Sequence, residues 1–345
     1  KQDSGSWTLS GVNTFSGGST LYAGIIKMGS ARGLGTGAIT VNSGASLDLS
    51  GQAVTSTGAL TLNGTGISSG GALTNSASTA SSYAGAVTIG SDSSIVTSSN
   101  AAGSITLGST VSNPYSLILG GVAAGTITGI VSSSGSVTKQ GSGIWTLSAA
   151  NTYSGGTLIS LGTLKLGNAT AFGTGNIVVS SGGALDLNGQ TTTNTGIMLT
   201  LNGTGVSSNG ALTNGISTPA TYAGLITLAG NSSIVAASGV ISVSNTGSIT
   251  GNGFTLTLGG ANNASIASAL ATGSGGLTKS GTGNWGISGT SSYTGTTAIN
   301  QGTLQTSNNL ALGRNGAITV ASGATLDLNG SSLASISALT LAGTG

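Results

Sequence analysis

Apolar and polar residues alternate along short stretches of this chain, as in AITVNSGASLDLSG (38–51) and FTLTLGG (254–260). A period of two is the pattern of a strand with one face buried, and here glycine or asparagine breaks it every few residues. In the first part of the chain the apolar cores ITV, LTL, VTI, ITL and TIT begin at residues 39, 60, 87, 105 and 126. Strands of three to six residues that return every 18 to 27 residues are too short, and their polar gaps too long, for hairpin pairing. They predict an all-β fold, a parallel β-helix or β-solenoid in which each coil stacks on the one before it. Glycine and asparagine then take the left-handed backbone angles at the corners. Alternate residues fill a narrow core of Leu, Ile and Val, and the Ser and Thr between them face outward.

A longer period lies over this one. Lys1, Lys139 and Lys279 are separated by 138 and 140 residues, as are Trp7, Trp145 and Trp285; Asp48, Asp186 and Asp327 follow at 138 and 141. The extra residue of the last copy falls where TGAI after Gly35 becomes RNGAI after Gly313, an insertion expected to leave both flanking strands in phase. ALTLNGTG (59–66) returns as MLTLNGTG (198–205), and SSYAGAVTIGSDSSIV (81–96) as ATYAGLITLAGNSSIV (220–235). The chain therefore divides into repeats at 1–138, 139–278 and a truncated 279–345, expected to form one continuous solenoid. At six or seven turns per repeat, some 15 to 17 coils spaced about 4.8 Å apart make an elongated rod of very roughly 75 Å. Both ends cut through repeat material, and the opening KQDSGSW has no basic start and apolar run, so we expect an internal piece of something larger.

Composition sharpens the picture. Charged residues are 3% of the chain, Gly is 64 of 345, and His, Cys and Glu are absent. Such a chain could be low-complexity disorder, but a hydrophobic fraction of 37% in strand phase argues for a packed core. Stacking explains the scarcity of charge, because a ladder of like charges would repel itself while Ser, Thr and Asn ladders hydrogen-bond. The net charge of +2 rests on seven Lys and Arg with no basic cluster, which disfavours nucleic acid and anionic membrane as partners. No apolar run approaches the roughly 20 residues of a spanning helix, so no membrane insertion is expected of this segment. The absence of Cys fits a secreted bacterial protein without disulfides.

The run KQGSGIWTLSAANTYSGGTLISLGTLKLGNATAFGTGNIVVSSGGALDLNG (139–189) resembles the autotransporter-associated β-strand repeat, or passenger-associated transport repeat, of Gram-negative surface proteins. The shared features are a lysine, a G-S-G turn, a short strand, N-T-Y-S-G-G-T, a G-T-L strand, a loop ending in G-T-G, and S-G-G-A-L-D-L-N-G. The first copy keeps most of them; the third reads SSYTGTTAINQGTLQ and carries Gln305 where the others have Lys27 and Lys165. The resemblance is specific for about 50 residues of each copy. It implies a right-handed β-helical stalk, extracellular or attached at the outer membrane of a Gram-negative cell, often part of an adhesin or surface fibre. A C-terminal membrane barrel that would export such a chain is not within these residues.

A β-helix can also carry catalysis, which on this scaffold needs clustered carboxylates. The five acids are Asp3, Asp48, Asp92, Asp186 and Asp327. Asp48, Asp186 and Asp327 are one position seen three times, roughly 30 Å apart along a stack. Asp92 becomes Asn231 and Asp3 becomes Gly141. We therefore expect no enzyme, no catalytic residues and no cofactor. The L-D-L-[NS]-G aspartates read as outward strand residues, solvated or bonded to a neighbouring coil, or else as weak calcium ligands, which normally needs six or more oxygens. Lys1, Lys139 and Lys279 read as coil-edge residues, in solvent or reaching toward a carbonyl; Arg32 and Arg314 read as loop charges. The G-T-G glycines lack the lysine and helix of a phosphate-binding loop and read as corners.

Each tryptophan is followed eight positions later by an aromatic: Phe15, Tyr153 and Tyr293. The tryptophan is either a buried plug with the N-T-[FY]-S-G-G turn closing over it, or an outward contact for sugar or a neighbouring filament. The leading expectation is a structural solenoid segment, an adhesin stalk or a unit that polymerises with itself. The alternative is a passenger that binds a glycan or another cell's protein. Ice binding is more remote, because the spacing of the threonines drifts from coil to coil.

Overall fold

A computed structural model describes residues 1–334 and 336–343. The chain forms two compact units, Lys1–Gly175 and Asn176–Gly345, the division falling inside the second long repeat. Every strand pair between named strands is parallel, and the chain makes about 16 turns of a β-solenoid. Besides strands, the described residues contain two single-turn 3₁₀ segments, Ile67–Ser69 and Val206–Ser208.

In the first unit three stacks of strands run side by side, one for each face of the coil. One stack carries Ser19, Ile39, Leu60, Val87, Val111 and Val131 in register. A second carries Tyr83, Leu107, Ile127 and Leu147. The third carries Trp7, Ile26, Leu47, Leu73, Ile95, Leu119 and Lys139. The five apolar cores read from the sequence as one rhythm belong to two faces: ITV, LTL and VTI to the first stack, ITL and TIT to the second. Alternate residues do point inward, as in Val87, Ile89 and Leu107, all essentially inaccessible, which is what period-two alternation on a stacked coil requires.

The third stack fixes how the long repeat meets the coil. Six steps up from Trp7 lead to Lys139, whereas the sequence counterpart of Trp7 is Trp145, six residues further along the chain. Trp145 is in register with Gly125 and Leu164, on the next face. One long repeat is thus six turns plus one side of the coil.

Two strands exceed the expected three to six residues: Val87–Val96 and Leu225–Ala236. Each continues from one face of the coil onto the next, with a register shift, at a corner where the coil below is interrupted. Val87–Val96 pairs with both Leu60–Gly64 and Leu73–Thr74, so the residues between those two strands are pushed out as a loop. Leu225–Ala236 does the same over Met198–Gly203 and Leu212–Thr213.

In the second unit one stack contains Ala220–Tyr222, Ile241–Val243, Ala264–Ile266, Asn284–Ile287, Gly302–Thr306 and Ala324–Asp327. The inserted residue behaves as expected. Thr297 pairs with Ile318 as Ser19 pairs with Ile39, and Asn315 absorbs the extra length in a left-handed conformation, φ 59°.

The threonine spacing does drift in sequence, but not in space. Thr20, Thr40, Thr61, Thr88, Ser112 and Ser132 form one outward column in register, because loops of different length keep the strands aligned. Ser82, Thr106, Thr126 and Thr146 form another. These columns test the explanation for the missing charge. Thr106→Glu and Thr126→Glu should each change stability by less than about 0.5 kcal/mol. Together they should lose a further ~0.2–1 kcal/mol by direct opposition, a penalty that shrinks in high salt. A urea-denaturation double-mutant cycle measures it, and simple additivity would contradict the explanation.

Candidate functional site

The marker residues of the long repeat converge on structural roles. Trp145 and Trp285 are completely buried, and their indole N–H groups donate to Gly120 O and Gly259 O, each at 3.0 Å. Trp145 leans onto the coil below it, where a Cβ on Gly125 would lie 2.4 Å from the ring; glycine there is the space the indole fills. Trp7 is 55% exposed, and among the described residues no strand pairs with its other side. Tyr153 and Tyr293 are buried, each phenol sharing a 2.6 Å hydrogen bond with the hydroxyl four residues on, Thr157 and Thr297. The first copy changes both members, to Phe15 and Ser19, and Phe15 is partly exposed. Over each ring sits the first glycine of the G-T-G or G-R-N-G loop: Gly35, Gly173 and Gly313 have φ of 65°, 72° and 76°. A Cβ there would lie 2.3–2.4 Å from the carbonyl of the aromatic residue. These are corner glycines holding a close approach of coil to coil.

Lys139 and Lys279 are not in solvent. Both are fully buried, and each ammonium donates to three backbone carbonyls: Gln140 O, Gly141 O and Leu161 O at 3.0, 2.6 and 3.0 Å, and Ser280 O, Gly281 O and Gln301 O at 3.1, 2.6 and 3.0 Å. Lys1 occupies the same kind of seat, bonded to the carboxylate and carbonyl of Asp3, with Trp7 5.6 Å beneath it. The seat exists because the facing residue is a left-handed glycine: a Cβ on Gly24 or Gly162 would lie 2.6 or 2.8 Å from the lysine nitrogen. The solvent reading fails because the lysine stands on an inward strand position, where the corner carbonyls of two coils supply the acceptors.

Of the two readings of the aspartates, solvated or bonded to a neighbouring coil, the structure shows the second: Asp48 and Asp186 are buried, and all three carboxylates are bonded to an adjacent coil. Asp48 is 2% exposed and accepts hydrogen bonds from Ser50 N and Ser76 N, each 2.9 Å, and Ser76 Oγ at 2.6 Å. Lys27 of the preceding coil lies 3.6 Å away. Asp186, also buried, accepts from Asn188 N and Gly215 N; Asp327 accepts from Asn329 N and from Gln305 Nε2 at 2.7 Å. The carboxylate is a staple between coils, and Gln305 replaces lysine because an amide N–H can reach the same oxygen. Asp92 and its counterpart Asn231 do one job: each side-chain oxygen accepts from the backbone N–H of the next coil, Ser116 and Thr255. Charge at that position is dispensable. Among the described residues no three acidic, His or Cys side chains cluster as metal ligands, and Arg32 and Arg314 lie in loops.

Sequence reasoning missed the buried asparagines. Asn151 accepts from Val131 N at 2.8 Å and donates to Ala171 O at 2.5 Å, joining the coil below to the coil above. Asn75 and Asn214 are fully buried at corners with their amides bonded to main chain. The available signal was asparagine at one place in successive copies, Asn13 and Asn151, Asn75 and Asn214.

This is a repeat solenoid whose marked positions lock coils together. It carries the passenger-associated transport repeat: that family matches residues 1–27, 137–166 and 277–306, the segments that contain the lysine, the tryptophan and the first aromatic of each copy. The chain is also similar to the adhesin BmaC autotransporter of Brucella suis biovar 1 (strain 1330), 31% identical over 191 residues, 53% of this chain. That stretch is 4% of the relative's length. No solved structure matches. Among the described residues no helix is long and apolar enough to cross a membrane.

The buried titratable groups set a pH dependence. Burial lowers Lys139 and Lys279 from 10.5 to about 8, so between those values the unfolded chain binds more protons and stability rises with pH. Burial raises Tyr83 from 10.0 to about 12, and raises Tyr153, Tyr222 and Tyr293 as well; unfolded tyrosine ionises first, so stability falls above pH 10. The melting temperature should climb from pH 8, peak near 10 and then drop. A flat or falling profile between 8 and 10 in a calorimetric series would refute the lysine assignment.

Proposed function

We propose that this chain is a non-enzymatic structural segment of the extracellular passenger of a Gram-negative surface protein, acting as a stalk or as a unit that assembles with itself into a filament. The carrying observation is that the buried residues marking the repeat are spent on joining one coil to the next and filling the interior. The lysines satisfy corner carbonyls, the buried tryptophans and tyrosines plug the interior, and the aspartates staple strands. The similarity to the Brucella adhesin supports the cell-surface placement. Antibody raised against residues 1–345 should label intact cells of the producing bacterium, and surface proteolysis should remove the label. Labelling that requires permeabilised cells would refute the placement. Electron microscopy of the cell surface then separates stalk from filament, by isolated rods against continuous fibres.

The outward hydroxyl column from Thr20 to Ser132 supports a second reading, ice binding, which the drifting sequence spacing had made remote. Against it, the long repeat moves each marker to a new face, so corresponding positions in the first unit do not build one flat plane. Thermal hysteresis at millimolar protein should be absent, and its appearance would favour the second reading.

A further inference from the structure

The loops pushed out beneath the two long strands, NGTGISSGG (63–71) and NGTGVSSNG (202–210), share an unusual backbone. Ser68, Ser69, Ser207 and Ser208 all have positive φ, from 49° to 61°, conformations that serine adopts only where its surroundings impose them. In the second unit this loop overhangs a cleft of about 420 Å³ lined by Thr204, Ser208, Asn209, Ser233, Thr257 and Ser280 around a small apolar floor. Ser233 is 3% exposed, and its hydroxyl has no hydrogen-bond partner. An orphaned buried hydroxyl facing a cleft is an unmet demand for a ligand's polar group.

The first copy shows that the demand belongs to this site. There the counterpart Ser94 donates to Thr65 O at 3.1 Å. The positions of Thr257 and Ser280 are held by Ile118 and Gln140, bulkier side chains. The same loop thus stands over bulkier residues in one copy and smaller ones in the other.

We propose that the cleft under the 204–210 loop is a binding subsite for one neutral sugar residue. Its lining holds no charged and no aromatic side chain, which excludes recognition of an ion or a stacked ring. Five hydroxyls that both donate and accept, an amide, and a floor of Val235, Ala237 and Gly259 match a pyranose, with hydroxyls at its rim and C–H groups on its face. Without an aromatic platform, binding is weak and depends on hydrogen bonds.

The test is saturation-transfer-difference NMR on residues 1–345 with glucose, galactose, mannose and N-acetylglucosamine, each at millimolar concentration. At least one should give a saturable signal. Ser280→Gln with Thr257→Ile, the residues the first copy already tolerates, should weaken it by roughly tenfold or more while the melting temperature stays near the parent's. Ser233→Ala should weaken it as well. No signal from any of the four sugars, or a signal unchanged by the double substitution, overturns the proposal. Either outcome leaves the surface placement intact, since labelling of cells does not depend on this cleft.

Discussion

In-register parallel stacking is the constraint from which the rest of this molecule follows. Each coil must present to the next a copy of what the one below presented to it, so a side chain is judged by whether it can sit on a similar side chain a strand's width away. Leucine on leucine and threonine on threonine satisfy that rule, as in the columns through Leu47, Leu73 and Ile95 or Thr40, Thr61 and Thr88. A carboxylate satisfies it only if main-chain N–H groups of the neighbouring coil receive it, which is how Asp48 and Asp186 are held. The near absence of charge is the same rule written as composition.

Buried polar groups then take over the work that charge pairs do elsewhere. Corners leave carbonyls and N–H groups without strand partners, and burying them unpaired is costly. Asn75, Asn151 and Asn214 meet that need with neutral amides, and Lys139 and Lys279 meet it with an ammonium aimed at three oxygens. The lysine solution asks for a matching absence: the facing residue must be a glycine in the left-handed region, which is why Lys1, Lys139 and Lys279 are each matched by a later glycine, Gly24, Gly162 and Gly302.

Much of this architecture was legible in the sequence. Period-two alternation and glycine punctuation gave parallel coils, and aligned lysines, tryptophans and aspartates gave the long repeat and its single inserted residue. What escaped has a physical reason. Periodicity reports which residues point inward but not which face of the coil they occupy, so ITL (105) and TIT (126) could not be separated from ITV (39). The lysines read either as solvated or as reaching toward a carbonyl, and the sequence does not choose between the two because carbonyl acceptors carry no sequence signature. The open cleft beside Ser233 depends on Ser280 being smaller than Gln140, a comparison that means nothing until the loop above is placed.

The overshoot of the long repeat, six turns and one side, bears on how such a chain can grow. A duplicated segment that had to return to its starting face would need a length that is a whole number of turns. Here Trp7 and Trp145 stand on different faces and each repeat still seats, so the match that matters is coil outline to coil outline and not azimuth to azimuth. A solenoid built this way accepts new copies of almost any length that ends on a corner. Whatever the first two copies display at corresponding positions then faces different sides of the coil, as Trp7 and Trp145 do.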